Sequence, residues 1–358
     1  MRTSVLFVGV LTAILGCTTN GPGNGVDGGA GGDGGTPGDA AGTTDGSTGP
    51  EALQIIVEPN GNHGQELVTA ISGAQHSVYM TMYMLDDTAV IGALVARAKA
   101  GVDVQVVLDS ASTQKSFNTP AYNQLKTAGA SPVWSSSSFS FTHEKCVIID
   151  GAVAWIMTMN ANTSSMVDNR EYLAIDTNAA DVAEATAVFK ADHALQAITP
   201  TGALVVSHTN ARPQLVALIN SATKTLDVEG EEFSDTHSAG VVDAVAAAAK
   251  RGVAVRVIVA KGNVDTISVN AVKTAGGHVV MTGPASGGGS PSKPYIHAKA
   301  IVVDCVAGTC ARGFIGSENF SEGSLSYNRE LGVVFSNASE LAKVKAAIDT
   351  DFAAGVAQ

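Results

Sequence analysis

An α/β body made of two copies of one unit is the fold class this 358-residue sequence predicts, and three observations predict it. The stretch YIHAKAIVVD at 295–304 has a counterpart in FTHEKCVIID at 141–150, so that His143, Lys145 and Asp150 are spaced as are His297, Lys299 and Asp304. The register continues downstream: Asn160 is followed nine residues later by Asn169-Arg170-Glu171, and Asn319 nine residues later by Asn328-Arg329-Glu330. Upstream, AKAGVDVQVVLD (98–109) parallels AKRGVAVRVIVA (249–260), and ISGAQHSV (71–78) parallels INSATKTL (219–226). Internal repetition of this kind decides a fold before any single element does.

Each copy has one order of elements. An amphipathic segment leads into a strand (77–84; 225–233), then a helix (88–100; 237–251) closed by Gly101 or Gly252, the residue type expected just past a helix end. A β-rich strand follows (102–108; 253–259), then a weaker helix and the His-x-Lys strand. Alternating strands and helices imply sheets covered by helices. Two such copies pack most simply about a pseudo-twofold axis, with equivalent strands face to face.

The remainder of the chain bounds the setting. Residues 1–17, MRTSVLFVGVLTAILGC, place Arg2 before an apolar run too short for a permanent membrane span, and read as an export signal. Its end, Ile14-Leu15-Gly16-Cys17, resembles a bacterial lipobox, which implies a lipid-modified Cys17, an anchor in the cell envelope and, since Thr18 follows rather than Asp, an outer-membrane or surface address; the alternative is an ordinary secretory signal. Residues 18–50 hold almost no large apolar side chain and cannot offset their ordering entropy, so they form a tether. A Gly-rich coil of this length reaches about 30 Å. The two copies then occupy 51–200 and 201–358. Of the formal net charge of −12, the chain after residue 50 keeps −9, a poor generic partner for a polyanion.

Side chains at i and i+2 of a strand share a face, so His143 points with Lys145 and His297 with Lys299, while Cys146 and Ile148 face the core. Asp150 falls on the opposite parity and Asp150-Gly151 is a hairpin signal, which leaves Asp150, and Asp304 with it, between bracing a turn and direct chemistry. In the second copy that turn is replaced by an insertion with Cys305 and Cys310 placed to bridge a short loop, the alternative being two free thiols.

If the four polar side chains meet, two imidazoles and two ammonium groups repel one another unless they serve an anion. A phosphodiester fits. The lysines and the amides of Asn160 and Asn319 can hold its non-bridging oxygens. One neutral imidazole can attack phosphorus while the other, protonated, donates to the leaving oxygen. A carboxylate on the far ring nitrogen would fix each tautomer; Glu171 and Glu330 are candidates, one per copy, with Glu330 the partner to test for His297. Lysine charge leaves no need for a metal or other cofactor, and HEKC lacks the second histidine of a zinc helix. His63, His76, His193, His208, His237 and His278 have no repeated counterpart and read as loop or surface residues.

His-x-Lys-x-x-x-x-Asp followed by a Gly-Ser-x-Asn element resembles the phospholipase D superfamily, here as HEKCVIID with MTMN and HAKAIVVD with GSEN. The resemblance covers nearly all of the chain after the tether. It implies two phospholipase D-like α/β/α units forming one catalytic body, a covalent phosphohistidine, metal-independent phosphodiester hydrolysis or transfer, and His143 as nucleophile with His297 as acid. It also implies catalytic roles for Lys145, Lys299, Asp150 and Asp304, and phosphate-binding roles for Thr158, Asn160, Ser317 and Asn319. One departure is Met157-Thr158 where the family prefers Gly-Ser, although Thr158 keeps the hydroxyl that Ser317 provides.

The expected substrate is a glycerophospholipid headgroup, cleaved to phosphatidic acid and an alcohol by a monomer anchored at a membrane. The segments 135–141 and 283–295 could rim the cleft, with Phe139, Phe141 and Tyr295 either touching acyl chains or packing. The alternative function is a secreted nuclease, with nucleic acid as partner; behind it stand a transferase of the cardiolipin-synthase type and a binding lipoprotein without turnover.

Overall fold

The computed structural model describes residues 52–358; the expected export signal, Cys17 and the whole of the expected tether lie outside the described residues. The first copy runs β1 (Leu53–Glu58), α1 (Gln65–Gly73), β2 (Ser77–Met82), α2 (Thr88–Lys99), β3 (Asp103–Leu108), α3 (Ser112–Thr127), β4 (Ser131–Trp134), β5 (Lys145–Ile149), β6 (Val153–Met157), α4 (Thr163–Asp168), β7 (Asn169–Asp176) and α5 (Ala179–His193). The second runs β8 (Val205–Ser207), α6 (Ala211–Asn220), β9 (Thr225–Gly230), β10 (Phe233–Ser234), α7 (Val241–Lys250), β11 (Ala254–Ala260), α8 (Thr266–Thr274), β12 (His278–Thr282), β13 (Tyr295–Ile296), β14 (Lys299–Val303), β15 (Arg312–Gly316), β16 (Phe320–Ser321), α9 (Glu322–Tyr327), β17 (Glu330–Phe335), α10 (Ala338–Ala354) and β18 (Val356–Ala357).

Local chemistry explains the boundaries. Asp87 accepts from the backbone N–H groups of Ala89 and Val90 and so starts α2, and Gly101 ends that turn at φ 87°, where a Cβ would be strained. Gly252 does the same after α7 at φ 89°. The second helix begins later than its spacing suggested, at Val241, because Asp235 and Gly240 hold residues 235–240 in a separate turn.

Each copy forms its own mixed sheet, ordered β1-β7-β6-β5-β2-β3-β4 in the first and β18-β12-β11-β9-β14-β15-β17-β8 in the second. Helices α1, α2 and α3 cover the outer face of the first sheet, and α6, α7 and α8 that of the second. The inner faces share a core in which Cys146 and Ile148 of β5 join Ala300 and Val302 of β14, with α5 and α10 filling the flanks. Each unit is therefore α/β/α, and the shared core makes the two one body.

The copies are also stitched through their backbones. β13 pairs in parallel with β7, setting Tyr295 against Asn169 and Ile296 against Arg170. In the mirror arrangement Thr142 bridges Arg329, and the His143 N–H donates to the Arg329 carbonyl at 2.9 Å. So the residues just before each motif histidine lie on the Asn-Arg-Glu strand of the other copy.

Candidate active site

Strands β2 and β3 run parallel, and β5 returns antiparallel to β2 so that Lys145 registers with Met82 at the carboxyl end of β2. In the second copy Lys299 registers with Gly230 at the end of β9. Both motifs thus open at the carboxyl ends of parallel strands, where loops are free to form a crevice. A cleft of about 320 Å³ lies there, lined by Tyr83, Phe141, His143, Glu232, Asn319 and Asn328 among others.

The two histidines are held alike. His143 Nδ1 lies 2.8 Å from Glu330 Oε2, and His297 Nδ1 lies 2.8 Å from Glu171 Oε1. The pairing is crossed: each carboxylate orients the histidine of the other copy, which corrects the expectation that Glu330 serves His297. The crossing follows from the strand stitching, since Arg329 and Arg170 lie against the residues beside the histidines. Asn328 Nδ2 donates to Glu330 at 3.1 Å, and Asn169 Nδ2 to Glu171 at 3.0 Å, so each carboxylate is itself fixed. With Nδ1 occupied, Nε2 of each ring is the nitrogen left for chemistry.

The electrostatics separate the roles. Burial lowers the pKa of His143 to about 4, with Glu330 opposing the shift and Lys145 adding to it, so the ring is neutral around pH 7. Burial would raise the pKa of Glu171 and of Glu330, but the histidine and lysine charges beside each hold it below the ordinary carboxylate range. Lys145 is pushed down to about 7 by burial, with nearby Lys299 adding to the shift. Its Nζ donates to the His143 carbonyl and lies 5.0 Å from the centre of the Tyr83 ring. Lys299 Nζ donates to the His297 carbonyl and to Glu231 Oε2, the latter at 2.9 Å.

Other expected positions divide. Asn160 and Asn319 are buried with their Oδ1 atoms unpartnered, and Asn319 lines the cleft; since Oδ1 can only accept, Nδ2 is the atom of each amide able to meet a phosphate oxygen. Thr158 and Ser317 are not phosphate-binding: both are fully buried, and each hydroxyl accepts a backbone N–H from the neighbouring strand, from Tyr172 at 2.9 Å and from Leu331 at 3.1 Å. Thr158 also donates to Glu171. They brace the carboxylate strands.

Asp150 and Asp304 are not at the reaction centre either. Asp150 accepts from the N–H groups of Gln75, His76 and Ser77, and Asp304 from those of Thr223, Lys224 and Thr225. The cause is distance along the strand rather than parity alone: five residues of β5 separate Asp150 from the motif end, about 16 Å. Asp150 and Gly151, both at positive φ, form the expected tight hairpin turn. Cys305 and Cys310 are disulfide-bonded across the tip of the second hairpin, which closes the alternative of free thiols.

Of the proposed rim aromatics, Phe141 is exposed in the cleft. Phe139 packs on the Arg329 guanidinium at 4.5 Å, and the Tyr295 hydroxyl donates to Glu231. Two site residues escaped the sequence reading, Tyr83 and Glu231. They occupy the same place in the two copies, directly after the strand residue that registers with the motif lysine. Because one is aromatic and the other acidic, a search for repeated identities passes over them.

Where Gly316 meets the second motif, the departure at Met157 has a local cause. A Cβ at Gly316 would come within 2.6 Å of the Gly332 Cα, whereas Met157 registers with Leu173, a position that accommodates side chains.

A family model described as "Cardiolipin synthase, PLD-like domain" matches residues 67–193 and 215–353, one segment in each copy. The chain belongs to the phospholipase D superfamily, a family of phosphodiesterases and phosphotransferases. Its fold is similar to that of the polyphosphate kinase from Porphyromonas gingivalis (TM-score 0.63, 15% identity, 83% of this chain covered), although it spans only 50% of that chain. It is similar as well to the phosphatidylserine synthase of Haemophilus influenzae Rd KW20 (TM-score 0.62, 11% identity, 86% of this chain and 88% of that one). A shorter match is to Nuc of Salmonella typhimurium, a phospholipase D family member, with 23% identity, a TM-score of 0.37, and 39% of this chain and 92% of that one covered. No curated protein sequence matches the chain.

Proposed function

We propose that this protein cleaves the headgroup phosphodiester of glycerophospholipids, giving phosphatidic acid and a free alcohol, through a phosphohistidine on His143. The observation that carries the reading is the pair of crossed His–Glu contacts, each with a lysine donating to the histidine's own carbonyl and both rings close enough to act on Glu231. Neutral His143 Nε2 attacks phosphorus, Lys145 and the Asn160 and Asn319 amides hold the non-bridging oxygens, and His297 protonates the departing alkoxide. Water then attacks the phosphohistidine, giving its proton to His297, and the N–P bond breaks back to His143. Lysine and amide donors carry the charge, so the chemistry runs without a metal.

A lipid fits better than a nucleic acid. Glu232 places negative charge in the cleft and Glu231 sets it beside His297, the chain beyond residue 50 is net acidic, and exposed Phe141 offers apolar surface at the cleft. A lipid anchor on Cys17 would hold a monomeric catalytic body at the cell envelope, within tether reach of its substrate. A second reading, transfer of the phosphatidyl group to an alcohol instead of water, is favoured by the family-model description and differs only in the acceptor.

The test is an assay of the full chain in mild detergent with EDTA, on phosphatidylcholine vesicles and on plasmid DNA, beside His143→Asn. Choline release that the substitution abolishes is expected. Plasmid cleavage without choline release would move the assignment to a nuclease, and loss of activity in EDTA would sink the metal-free mechanism. Added glycerol diverting product from phosphatidic acid to phosphatidylglycerol would favour the transferase.

A further inference from the structure

The two halves of the site are alike in their histidines, lysines, crossed carboxylates and supporting asparagines, but they differ in charge directly beside the motif histidines. Tyr83 and Glu231 each follow the strand residue that registers with the motif lysine. Tyr83 lays a neutral ring beside the first motif, 4.6 Å from the His143 ring and 5.0 Å from Lys145 Nζ. Glu231 sets a carboxylate beside the second, 3.5 Å from His297 Nε2 and 2.9 Å from Lys299 Nζ.

That one difference has chemical weight. His143 has an acceptor on Nδ1 only, which suits a neutral ring with a free lone pair on Nε2. His297 has a carboxylate beside each nitrogen, Glu171 2.8 Å from Nδ1 and Glu231 3.5 Å from Nε2, and negative charge on both sides of a ring favours its charged form. Glu231 is in turn fixed by the Tyr295 hydroxyl, which donates to Oε1 at 2.9 Å and itself accepts from Asn263 at 3.2 Å. Burial would raise the Glu231 pKa, yet Lys299 and His297 hold it well below the carboxylate range.

We infer that Glu231 is the positioning residue that assigns the two histidines their opposite parts, keeping a proton on His297 for the leaving alcohol and, by its absence from the first copy, leaving His143 free to attack. In the first step the N–P bond forms from the His143 Nε2 lone pair, the P–O bond to the alcohol breaks, and that oxygen takes the Nε2 proton of His297. In the second, neutral His297 takes a proton from water as the water oxygen bonds phosphorus. Glu231 stabilises the charged ring at the start and the end of the cycle.

This inference rests on the function proposed above, and leaving-group dependence tests it separately. Dihexanoyl phosphatidylcholine releases an alcohol that needs a proton, whereas dihexanoyl phosphatidyl-p-nitrophenol releases a stable phenolate that does not. In Glu231→Gln the loss of kcat on the choline ester should exceed that on the p-nitrophenyl ester by about tenfold or more. Glu231→Asp, which retains a carboxylate, should recover much of the difference, and carries the same comparison if the glutamine variant does not fold. Equal losses on the two esters would overturn the role of Glu231 while leaving the phosphodiesterase standing. A wild-type chain that cleaves neither ester would overturn both.

Discussion

At the scale of residues, the histidine to which the proposed mechanism gives the attack, His143, is prepared by what surrounds it. Burial keeps His143 unprotonated until the pH falls through about 4; below that value the Nε2 lone pair is lost and with it the nucleophile. We therefore expect kcat/KM on a short-chain phospholipid to fall about tenfold per pH unit below pH 4, well beneath the ordinary histidine range. A limb centred near 6.5, with circular dichroism unchanged over the same range, would show that the neutral state of His143 is not set by burial. The histidines, lysines and glutamates of the candidate site were legible because they recur with identical spacing. Tyr83 and Glu231 were not, since their function lies in being different. Nor could the crossing of Glu171 and Glu330 be read from a linear chain, where each stands nearer to the histidine of its own copy than to the one it serves.

At the scale of elements, the sequence predicted the strand and helix order well where turn chemistry was explicit, as at Asp87, Gly101 and Asp150-Gly151. For Asp150 and Asp304 strand parity left bracing open while the family resemblance implied chemistry, and the structure shows the bracing role, since membership in a motif is not membership in a site. Each of these aspartates ties a hairpin to the loop entering a central strand, accepting three consecutive backbone N–H groups. Asp150→Ala should thus cost stability rather than chemistry, about 1–2 kcal/mol, by analogy with the loss of a helix cap. That corresponds to a drop in Tm of about 2–8 °C. With the protein held well below its Tm, kcat should stay within about twofold of wild type. A large loss of kcat with Tm unchanged would return Asp150 to the reaction.

On the scale of the whole molecule, the halves exchange more than histidine partners. Arg170 of the first copy pairs with Asp351 of the second at 2.5 Å, and Arg329 of the second with Asp192 of the first at 2.9 Å, all four side chains nearly fully buried. Each arginine also donates to a carbonyl of the edge strand in its own copy, Glu58 or Ser207. Buried pairs of this kind add little net stability, but losing one member leaves a bare charge, so they enforce a single docking of the two sheets. Because both copies lie in one polypeptide, one chain supplies a complete site. Mixing a His143→Asn chain with a His297→Asn chain should accordingly restore no activity. Recovery of about a quarter or more of wild-type turnover in that mixture would instead place the two halves of a working site on different molecules.

The exchange of carboxylates has a consequence for how such an enzyme fails. A site whose attacker and proton donor were each oriented from within their own half could lose one and keep the other, and a molecule that still attacks but no longer activates water would be stranded as a phosphorylated dead end. Here any slackening between the sheets withdraws Glu330 from His143 and Glu171 from His297 together. On the proposed mechanism, then, a loosened molecule would lose attack and water activation together instead of trapping its own intermediate.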